Sequence, residues 1–556
     1  MTVALVAIVA RLGVLAVGQA GNMKDRAADQ RLRTFALPAD RGEILDASGR
    51  RLALSMPATD VYADPRYVDD PWGTATKLAP ILDQRVGALV ESLTKDTTFA
   101  YVARQVDPHA ARRIEDLGLP GIGFLDVTER YYPAGAVGGQ VVGFVGLDGE
   151  GLAGLELHHQ ALLAGTPGER TVEIGRDGQP IAGGVFDERP PAPGWSIVTT
   201  IDRELQYQVQ ALLADAVEQQ HAEGGTVVVL DPATGDVLAM TSYPWFDPNA
   251  FAEAEPDAIR NRAVTDAFEP GSTNKVITAA AAVEESALPL DEVLSVPWTM
   301  RVGTFTIHDA HPHSLQQMTL GDVVARSSNI GAVQVANHVG RDDMAAYLAR
   351  FGLGTETGIG FPGESSGITV PFYNWDDVIL ATTAYGQGIT ATPLQMASVF
   401  ATIANDGRWV RPRLVGARID PQGVRHDTAP SPERRVVSRR TALVVARMLA
   451  FAVEQGTGTN AAIPGYQVAG KTGTARIPRP DGPGYLEGQY MASFIGFLPA
   501  RHPEVVIAAI VDRPAQRYGS VAAAPLFQRV ASAAIAQLGI EPTEPLSPPP
   551  HAMPTT

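Results

Sequence analysis

Three short segments of the chain carry residue types that could perform acyl transfer. In the first, Ser272 is followed three residues later by Lys275, so on a helix the two side chains lie one turn apart on the same face. A serine hydroxyl is a poor nucleophile until a neighbouring base takes its proton. A lysine can be that base when burial or a second cation lowers its pKa towards neutrality. The spacing therefore predicts a serine nucleophile with a lysine base, although such a pair in isolation is more often a helix cap and a surface lysine.

The second segment, Ser327-Ser328-Asn329, lies between two stretches with helical periodicity. We expect it to project from a loop into a cleft. Ser327 could pass a proton between a lysine and a leaving amine, and Asn329 offers both a donor and an acceptor to a peptide-like substrate. The same residues could also simply cap the helix that follows, and the two roles are compatible.

The third segment begins at Lys471, which would be the second cation beside Ser272. Alternation along a strand places Thr472 and Thr474 on one face, where two hydroxyls could hold a substrate carboxylate. Gly473 would permit close approach of the substrate to the strand. The backbone N–H groups of Ser272 and Thr474 are the expected donors to the oxyanion of a tetrahedral intermediate. The alternative is a glycine-bearing edge strand without a catalytic role.

Three weaker features lie near these segments. His308, His311 and His313 are spaced like metal ligands, but a loop without fixed carboxylates favours solvated histidines over a metal site. Glu269 precedes the nucleophile and could tune it. The stretch 385–388 is predicted to form a tight loop beside the cleft, with a packing role as plausible as a functional one.

The composition is that of an ordinary globular protein. The 556 residues are 45% hydrophobic and 19% charged, enough for about two to four domains. A formal net charge of −17 argues against a nucleic-acid partner, which would need a basic surface. The chain contains no cysteine, which excludes thiolate catalysis, cysteine-based zinc sites and disulfides.

The first twenty residues predict a transmembrane anchor. Residues 2–20 are apolar apart from Thr2, Arg11 and Gln19. A helix over this run reaches roughly 28 Å at about 1.5 Å per residue, close to the apolar thickness of a bilayer. Arg11 near the centre would cost about 2.5–3.5 kcal/mol unless it faced a partner helix. A cleaved signal peptide and a buried soluble helix are the alternatives.

The charges around this run raise a question of orientation. No basic residue precedes it, and four follow it: Lys24, Arg26, Arg31 and Arg33. The positive-inside bias would place the bulk of the chain in the cytoplasm. We therefore hypothesise that the true start lies upstream and supplies a basic cytoplasmic leader.

The remaining sequence divides into three parts. Residues 21–195 read as a mixed region of short strands and helices, with one strand predicted over Val141–Val145, and a proline-rich breaker cluster at 190–194 ends it. Residues 196–540 have strands at both ends and long helices between, which predicts an antiparallel sheet covered by helices, an α+β architecture. The proline-rich tail 541–556 is expected to be disordered.

The ordered trio of motifs resembles that of the class B penicillin-binding proteins, the monofunctional peptidoglycan D,D-transpeptidases. The resemblance extends over nearly the whole chain from residue 10 to about residue 540. The similar stretches outside the trio are Arg41-Gly42-Glu43-Ile44-Leu45-Asp46, Arg130-Tyr131-Tyr132-Pro133, Gly143-Phe144-Val145-Gly146, Gly151-Leu152-Ala153-Gly154-Leu155-Glu156, Tyr243-Pro244-Trp245-Phe246-Asp247-Pro248-Asn249 and Tyr385-Gly386-Gln387-Gly388.

The resemblance implies a penicillin-binding transpeptidase domain over 196–540 and an elongated pedestal, or dimerisation, domain over 21–195. Carried over by position, it implies these roles: nucleophile Ser272, base Lys275, further catalytic residues Ser327, Asn329 and Lys471, and substrate-binding residues Thr472, Gly473 and Thr474. No metal or organic cofactor is implied.

The implied substrates are peptidoglycan stem peptides ending in D-Ala-D-Ala, and the implied inhibitors are β-lactam antibiotics. The layout looks most like the septal, FtsI-type branch, whose partner is a SEDS glycosyltransferase such as FtsW together with other divisome membrane proteins. The family implies an extracytoplasmic catalytic domain on a single uncleaved membrane anchor.

Three alternatives remain open from the sequence. The elongation branch of the same family is the main rival to the septal branch. A β-lactamase or β-lactam sensor shares the motifs, but Ser328 stands where class A β-lactamases have aspartate, and a small hydrolase has no use for the long pedestal. A non-catalytic division scaffold would have no reason to keep every motif residue.

Overall fold

The computed structural model describes residues 32–173, 181, 183–479, 481–545 and 547. The predicted anchor at 1–20 and most of the predicted tail at 541–556 lie outside these residues.

The amino-terminal region consists of short strands and short helices around a small apolar core. That core is formed where Val61 and Ala63 pack against Leu78, Leu89 and neighbouring side chains. The strands are β1 Leu32–Leu37, β2 Ile44–Leu45, β3 Arg51–Ala63, β4 Ala100–Val106, β5 Ile122–Tyr131, β6 Gly168–Glu173 and β7 Phe186–Arg189. The helices are α1 Pro71–Leu82, α2 Val86–Leu93, α3 Pro108–Glu115, α4 Gly139–Val142, α5 Gly154–His158 and α6 Gln160–Leu163.

The carboxyl-terminal region contains longer helices and a longer, more buried sheet. Its strands are β8 Ser196–Thr199, β9 Gly224–Leu230, β10 Val237–Tyr243, β11 Leu294–Val296, β12 Thr299–Val302, β13 Phe305–His308, β14 Gln316–Met318, β15 Arg408–Val410, β16 Val415–Ile419, β17 Arg425–Asp427, β18 Glu433–Arg435, β19 Ala469–Pro478, β20 Tyr485–Leu498 and β21 Val505–Asp512. Its helices are α7 Arg203–Gln219, α8 Pro256–Ile259, α9 Arg262–Thr265, α10 Lys275–Glu284, α11 Leu320–Arg326, α12 Asn329–Val339, α13 Arg341–Arg350, α14 Asp377–Ala384, α15 Pro393–Ala404, α16 Arg439–Glu454, α17 Gly519–Ala522 and α18 Ala524–Leu538.

The central sheet of this region is antiparallel, with strand order β10-β9-β21-β20-β19. Its strands β9 and β21 are buried on both faces, so they read as apolar runs. Val228 points into the core shared with α10 and α15, whereas Val227 and Val229 point into the core shared with α7 and α18. The result is a sheet between two layers of helices, the α+β architecture that the sequence predicts. Strand β19, which carries the third motif, lies at the edge of this sheet.

A second sheet joins the two regions. It has the order β17-β16-β8-β2-β3-β4, with β5 also paired to β3. Within it, β2 runs parallel to β8, and β8 runs antiparallel to β16. Strands from both sides of the predicted 195/196 boundary therefore share one hydrogen-bonded ladder. This ladder joins the amino-terminal region to the carboxyl-terminal region.

Paired polar side chains stabilise the amino-terminal region and its contact with the carboxyl-terminal region. Glu156, fully buried, accepts from Arg41 Nε at 2.6 Å and from Arg130 Nε at 2.7 Å. The side chain of Asn249 exchanges two hydrogen bonds with the backbone of Tyr132, at 2.9 and 3.0 Å. Buried charges and amides of this kind are stable only when they are paired. The ion pairs of Glu156 therefore stabilise the amino-terminal region, whereas the contact between Asn249 and Tyr132 fixes the two regions against each other.

One sequence prediction of an element is wrong. Residues 139–142 form the short helix α4 rather than part of a strand over Val141–Val145. Val141 and Val142 are both buried. Because buried and exposed positions do not alternate here, the apolar pattern does not distinguish a strand from a helix. Gly143 follows with φ +78° and lies so close to Ala153 that a side chain at this position would meet its carbonyl oxygen at 1.9 Å, which ends the helix.

Among the described residues, one helical run, Gly519–Leu538, is long and apolar enough to cross a membrane. Its longer part, α18, packs against α7 and the central sheet, with Phe527 and Val530 fully buried. These contacts are those of a core helix.

Candidate active site

The segment that carries the predicted nucleophile Ser272, called the nucleophile segment below, begins as one turn of 3₁₀ helix, Gly271–Asn274, that continues directly into α10. Ser272 therefore lies at the amino end of a helix, where the unpaired backbone donors favour negative charge. Gly271 adopts φ +55°, and its N–H donates to Gly386 O at 3.0 Å. A side chain at Gly386 would meet Gly271 O at 2.2 Å, so this glycine permits the loop at 385–388 to support the nucleophile from behind.

Lys275 lies at the centre of the site. Its Nζ donates to Ser272 Oγ at 3.0 Å, to the carbonyl of Ser327 at 2.6 Å and to Asn329 Oδ1 at 2.9 Å. The side chain is 1% exposed. The predicted pairing of hydroxyl and amine one turn apart is therefore present, and the second motif supplies the remaining acceptors for the amine.

The second motif lies between two helices, as the sequence suggests. Ser327 ends α11 in the left-handed conformation, φ +63°, which turns both its carbonyl and its hydroxyl towards the lysines. Ser328 caps α12 by accepting from Gly331 N at 2.9 Å. Asn329 is the first residue of that helix. The capping role of the motif and its contacts with the two lysines therefore occur together.

The third motif brings a second buried amine. Lys471 is fully enclosed, and its Nζ donates to Ser327 Oγ at 2.8 Å, while Lys275 Nζ lies 3.3 Å from the same oxygen. Gly473 lies against the nucleophile segment, where a side chain would come 3.0 Å from Thr273 Cγ2. The edge position of β19 brings its backbone beside Ser272 without an intervening strand.

The two threonines of the third motif have different partners. Thr472 Oγ1 lies 2.7 Å from Thr457 Oγ1, and Thr474 Oγ1 accepts from Gly519 N at 3.1 Å. Thr472 is 7% exposed, so its hydroxyl is largely enclosed. That the two hydroxyls hold a substrate carboxylate, and that Ser272 and Thr474 supply the oxyanion donors, remain predictions.

Burial sets the protonation of the two amines. It lowers the pKa of Lys275 to about 7, an effect that the nearby carboxylate of Asp309 partly opposes. Burial, reinforced by the charge of Lys275, also brings the pKa of Lys471 well below its ordinary value. Two ammonium groups cannot both be accommodated at low cost around one hydroxyl. Near neutral pH the pair can therefore hold a free amine beside the serine, which is what a lysine base requires.

Glu269 connects three parts of the site. Its Oε1 accepts from Gly388 N at 2.9 Å and from the hydroxyl of Tyr485 on β20 at 3.1 Å. Burial raises the pKa of Glu269. The residue thus ties the nucleophile segment to the loop at 385–388 and to the β19–β20 hairpin, and it does not hydrogen-bond Ser272.

Asp309 is a residue of the site that sequence reasoning missed. It is 6% exposed and accepts hydrogen bonds from the backbone of Asn329 and the side chain of Ser328. A lone aspartate in a loop carries no motif, so no signal in the sequence marked it out.

The three histidines of the predicted cluster have different contacts. His308 and His313 contact Asp309, and the ring of His311 lies 5.6 Å from that of Tyr518. Over the described ranges, no cluster of three or more acidic, histidine or cysteine side chains is placed to bind a metal.

Fold and site together define a serine acyltransferase, and comparison with known proteins agrees. Residues 225–532 match the family model of the penicillin binding protein transpeptidase domain, and residues 36–199 match that of the penicillin-binding protein dimerisation domain. The chain belongs to the class B penicillin-binding proteins.

Individual relatives align over almost the full chain. Penicillin-binding protein PbpB of Mycobacterium tuberculosis is 36% identical over 552 residues, which cover 94% of this chain and 81% of the relative. Peptidoglycan D,D-transpeptidase FtsI of Escherichia coli is 35% identical, covering 92% and 86% respectively. Among solved structures, penicillin binding protein 3 from Mycobacterium tuberculosis, complexed with aztreonam, covers 94% of this chain and 100% of that chain at 32% identity, with a TM-score of 0.74.

Proposed function

We propose that this protein is a peptidoglycan D,D-transpeptidase that works through an acyl-enzyme on Ser272. The observation that carries the proposal is the hydrogen bond of 3.0 Å between Lys275 Nζ and Ser272 Oγ, inside a cluster that also holds Ser327 and Lys471. Relatives bearing the name peptidoglycan D,D-transpeptidase, such as FtsI, support the reaction type.

Acylation would begin with attack of Ser272 Oγ on the carbonyl of the penultimate D-alanine in a stem peptide ending in D-Ala-D-Ala. Neutral Lys275 takes the hydroxyl proton as the new C–O bond forms. Collapse of the tetrahedral intermediate breaks the C–N bond. The leaving amine takes a proton through the Ser327 hydroxyl, which contacts both lysines, and D-alanine departs.

Deacylation reverses the proton path. An amine of a neighbouring stem attacks the ester carbonyl and loses a proton to the free lysine, and Ser272 regains its hydrogen as the 4→3 cross-link forms. Asn329, Thr472, Gly473 and Thr474 would line the peptide-binding face. β-Lactams would enter as mimics of the D-Ala-D-Ala amide and leave a slowly hydrolysed acyl-enzyme.

The cellular setting forms part of the proposal. Membership of a family with FtsI-like relatives fits membrane anchoring. We assign the anchor to 1–20, the pedestal to 21–195 and the transpeptidase domain to 196–540, with that domain outside the cytoplasm. The septal branch is favoured, with a SEDS glycosyltransferase such as FtsW and other divisome membrane proteins as partners.

The test is donor turnover in the presence of an acceptor. Purified protein is incubated with a synthetic stem peptide ending in D-Ala-D-Ala and an amine acceptor, with Ser272→Ala in parallel. Release of D-alanine with formation of the amide product, absent in Ser272→Ala, supports the proposal. Hydrolysis alone, with rapid multiple turnover of a chromogenic cephalosporin, would identify a hydrolase instead.

A further inference from the structure

We propose that Asp309 is a positioning residue for acyl transfer: its carboxylate holds the second motif in register with Lys275, and His313 partly neutralises that carboxylate from the other side. The proposal rests on the acylation of Ser272 proposed above and assigns new roles to two residues outside the three motifs.

The first observation is the number of donors that meet on one buried carboxylate. Asp309 Oδ1 accepts from the backbone N–H of Asn329 at 2.5 Å and of Ile330 at 3.0 Å. Its Oδ2 accepts from the hydroxyl of Ser328 at 2.8 Å and faces His313 Nε2 at 3.0 Å. Three of the four contacts go to the first residues of α12 and its cap, where a carboxylate is favoured by the unpaired amides.

The second observation is that the backbone of the preceding residue, His308, holds the side chain of Asn329. Asn329 Nδ2 donates to the carbonyl of His308 at 3.1 Å, which leaves Asn329 Oδ1 directed at Lys275 Nζ. The backbone of Asn329 is fixed by Asp309 and its amide by His308. His308 and Asp309 therefore together fix the position of Asn329 Oδ1, which accepts from Lys275 Nζ.

The segment itself is anchored independently of the motifs. Asp309 N donates to the carbonyl of Trp298 at 3.1 Å, next to the ladder of β12 and β13. Asp309 thus directly follows a hydrogen-bonded two-stranded hairpin. Displacement of a reacting group by about 1 Å can cost roughly 10²-fold in rate, so an anchor of this kind has kinetic consequences.

The third observation concerns charge. Burial lowers the pKa of Lys275 and the charge of Asp309 opposes this effect, whereas the charge of Lys275 helps to lower the pKa of Lys471. His313 faces Asp309, which together with the carbonyl of Ser314 raises the pKa of His313 against the opposing effect of burial. Protonated His313 offsets the negative charge of Asp309 as seen from Lys275, and neutral His313 does not.

Opposite shifts in the pH profile follow for two substitutions. Asp309→Asn removes the negative charge, so Lys275 loses its proton at lower pH. The midpoint of the rise in acylation rate therefore moves to lower pH by roughly half a unit. His313→Gln removes the opposing positive charge, so the same midpoint moves to higher pH. A glutamine can still donate to Asp309, so the rate at high pH stays close to that of the wild type.

The experiment measures the second-order rate constant for acylation by a fluorescent penicillin from about pH 5.5 to about pH 9.5. Asp309→Asn is expected to lower the acylation rate at high pH about tenfold or more. The asparagine side chain would place an N–H group where Ser328 now donates to a carboxylate oxygen, so the second motif would be held less precisely. The matched control is the pair Asp420 and His426, which has the same contact at 2.9 Å on β17 and its preceding turn. Asp420→Asn and His426→Gln should leave plateau and midpoint unchanged.

The outcomes separate the two proposals. If the wild type is not acylated at Ser272, the proposed function fails. If the wild type is acylated but Asp309→Asn and His313→Gln leave the midpoint where Asp420→Asn leaves it, the role of Asp309 is overturned. If Asp309→Asn does not fold, the variant His313→Gln still decides between the outcomes. A midpoint that moves up supports the assignment, and a midpoint that stays or moves down refutes it.

Discussion

Ser327 and Lys471 lie 144 residues apart in the chain and are joined by a hydrogen bond of 2.8 Å between Oγ and Nζ. The same hydroxyl is 3.3 Å from the amine of Lys275, which in turn contacts Ser272. A continuous path of exchangeable protons therefore runs from the nucleophile to the edge strand. It is the arrangement needed to move one proton from an attacking hydroxyl to a leaving amine.

Acylation should depend on pH through the base. Lys275 has a pKa of about 7, and only its neutral form accepts a proton from Ser272. The acylation rate should therefore rise with pH through about 7 and level off above it. Rates of labelling by a fluorescent penicillin across this range check the prediction; a rate that falls as pH rises through 7 would contradict a neutral lysine base.

The buried amine should also leave a mark on stability. The pKa of Lys275 falls from 10.5 in the unfolded chain to about 7 in the folded one, so between these values the unfolded state binds more protons. Stability contributed by this group is present above pH 10.5 and is lost as pH falls to about 7. The wild type should thus gain stability relative to Lys275→Met between pH 7 and about pH 9.5, as measured by chemical denaturation. A difference that does not change with pH would show that the amine is not depressed.

Gly473 should tolerate no side chain. A Cβ there would come 2.2 Å from Ser493 Oγ and 3.1 Å from the carbonyl of Pro270, so β19 must move away from the nucleophile. Gly473→Ala should cut the acylation rate roughly ten- to a hundredfold with little effect on folding. Gly482→Ala is the control, since a side chain there meets nothing within 4 Å. Equal acylation rates for the two variants would show that the close packing of Gly473 against the nucleophile segment does not matter for acylation.

The buried ion pairs of the amino-terminal region should be costly to break. Glu156→Ala leaves Arg41 and Arg130 buried without their carboxylate, which typically costs about 3–5 kcal/mol. Glu188→Ala breaks the exposed pair with Arg170 and should cost about 0–1 kcal/mol. The free energies of unfolding of both variants test this. Similar losses would mean that the buried carboxylate of Glu156 stabilises the fold no more than an exposed one does.

Much of the catalytic region follows from local patterns in the sequence. Helical periodicity predicts helices over 204–220, 392–405 and 439–455, and α7, α15 and α16 match these bounds to within one residue. Two apolar runs on either side of the turn at 231–235 predict the hairpin of β9 and β10. The spacing of Ser272 and Lys275 places them on one face of a helix whatever surrounds them. These features depend on neighbours in the chain, so the sequence reveals them.

Features that depend on distant contacts were not accessible in the same way. Asp309 matters because tertiary packing brings it to the start of α12, and Tyr485 because the long β19–β20 hairpin folds it back onto Glu269. The helix at 139–142 was misread because a fully enclosed segment loses the alternation that distinguishes its elements. The ladder shared by β2 and β8 joins residues about 150 positions apart, and no local pattern announces it.

The central claim is that Ser272 forms a covalent acyl-enzyme with Lys275 as its base, and intact-protein mass spectrometry after treatment with benzylpenicillin tests it most directly. One adduct, mapped to Ser272, is expected in the wild type and in Lys95→Arg, an exposed control. Lys275→Arg keeps the charge but cannot release its proton near neutral pH, so the adduct should form about 10²–10⁴ times more slowly. An adduct on another residue, or one that forms at the wild-type rate in Lys275→Arg, would contradict the account.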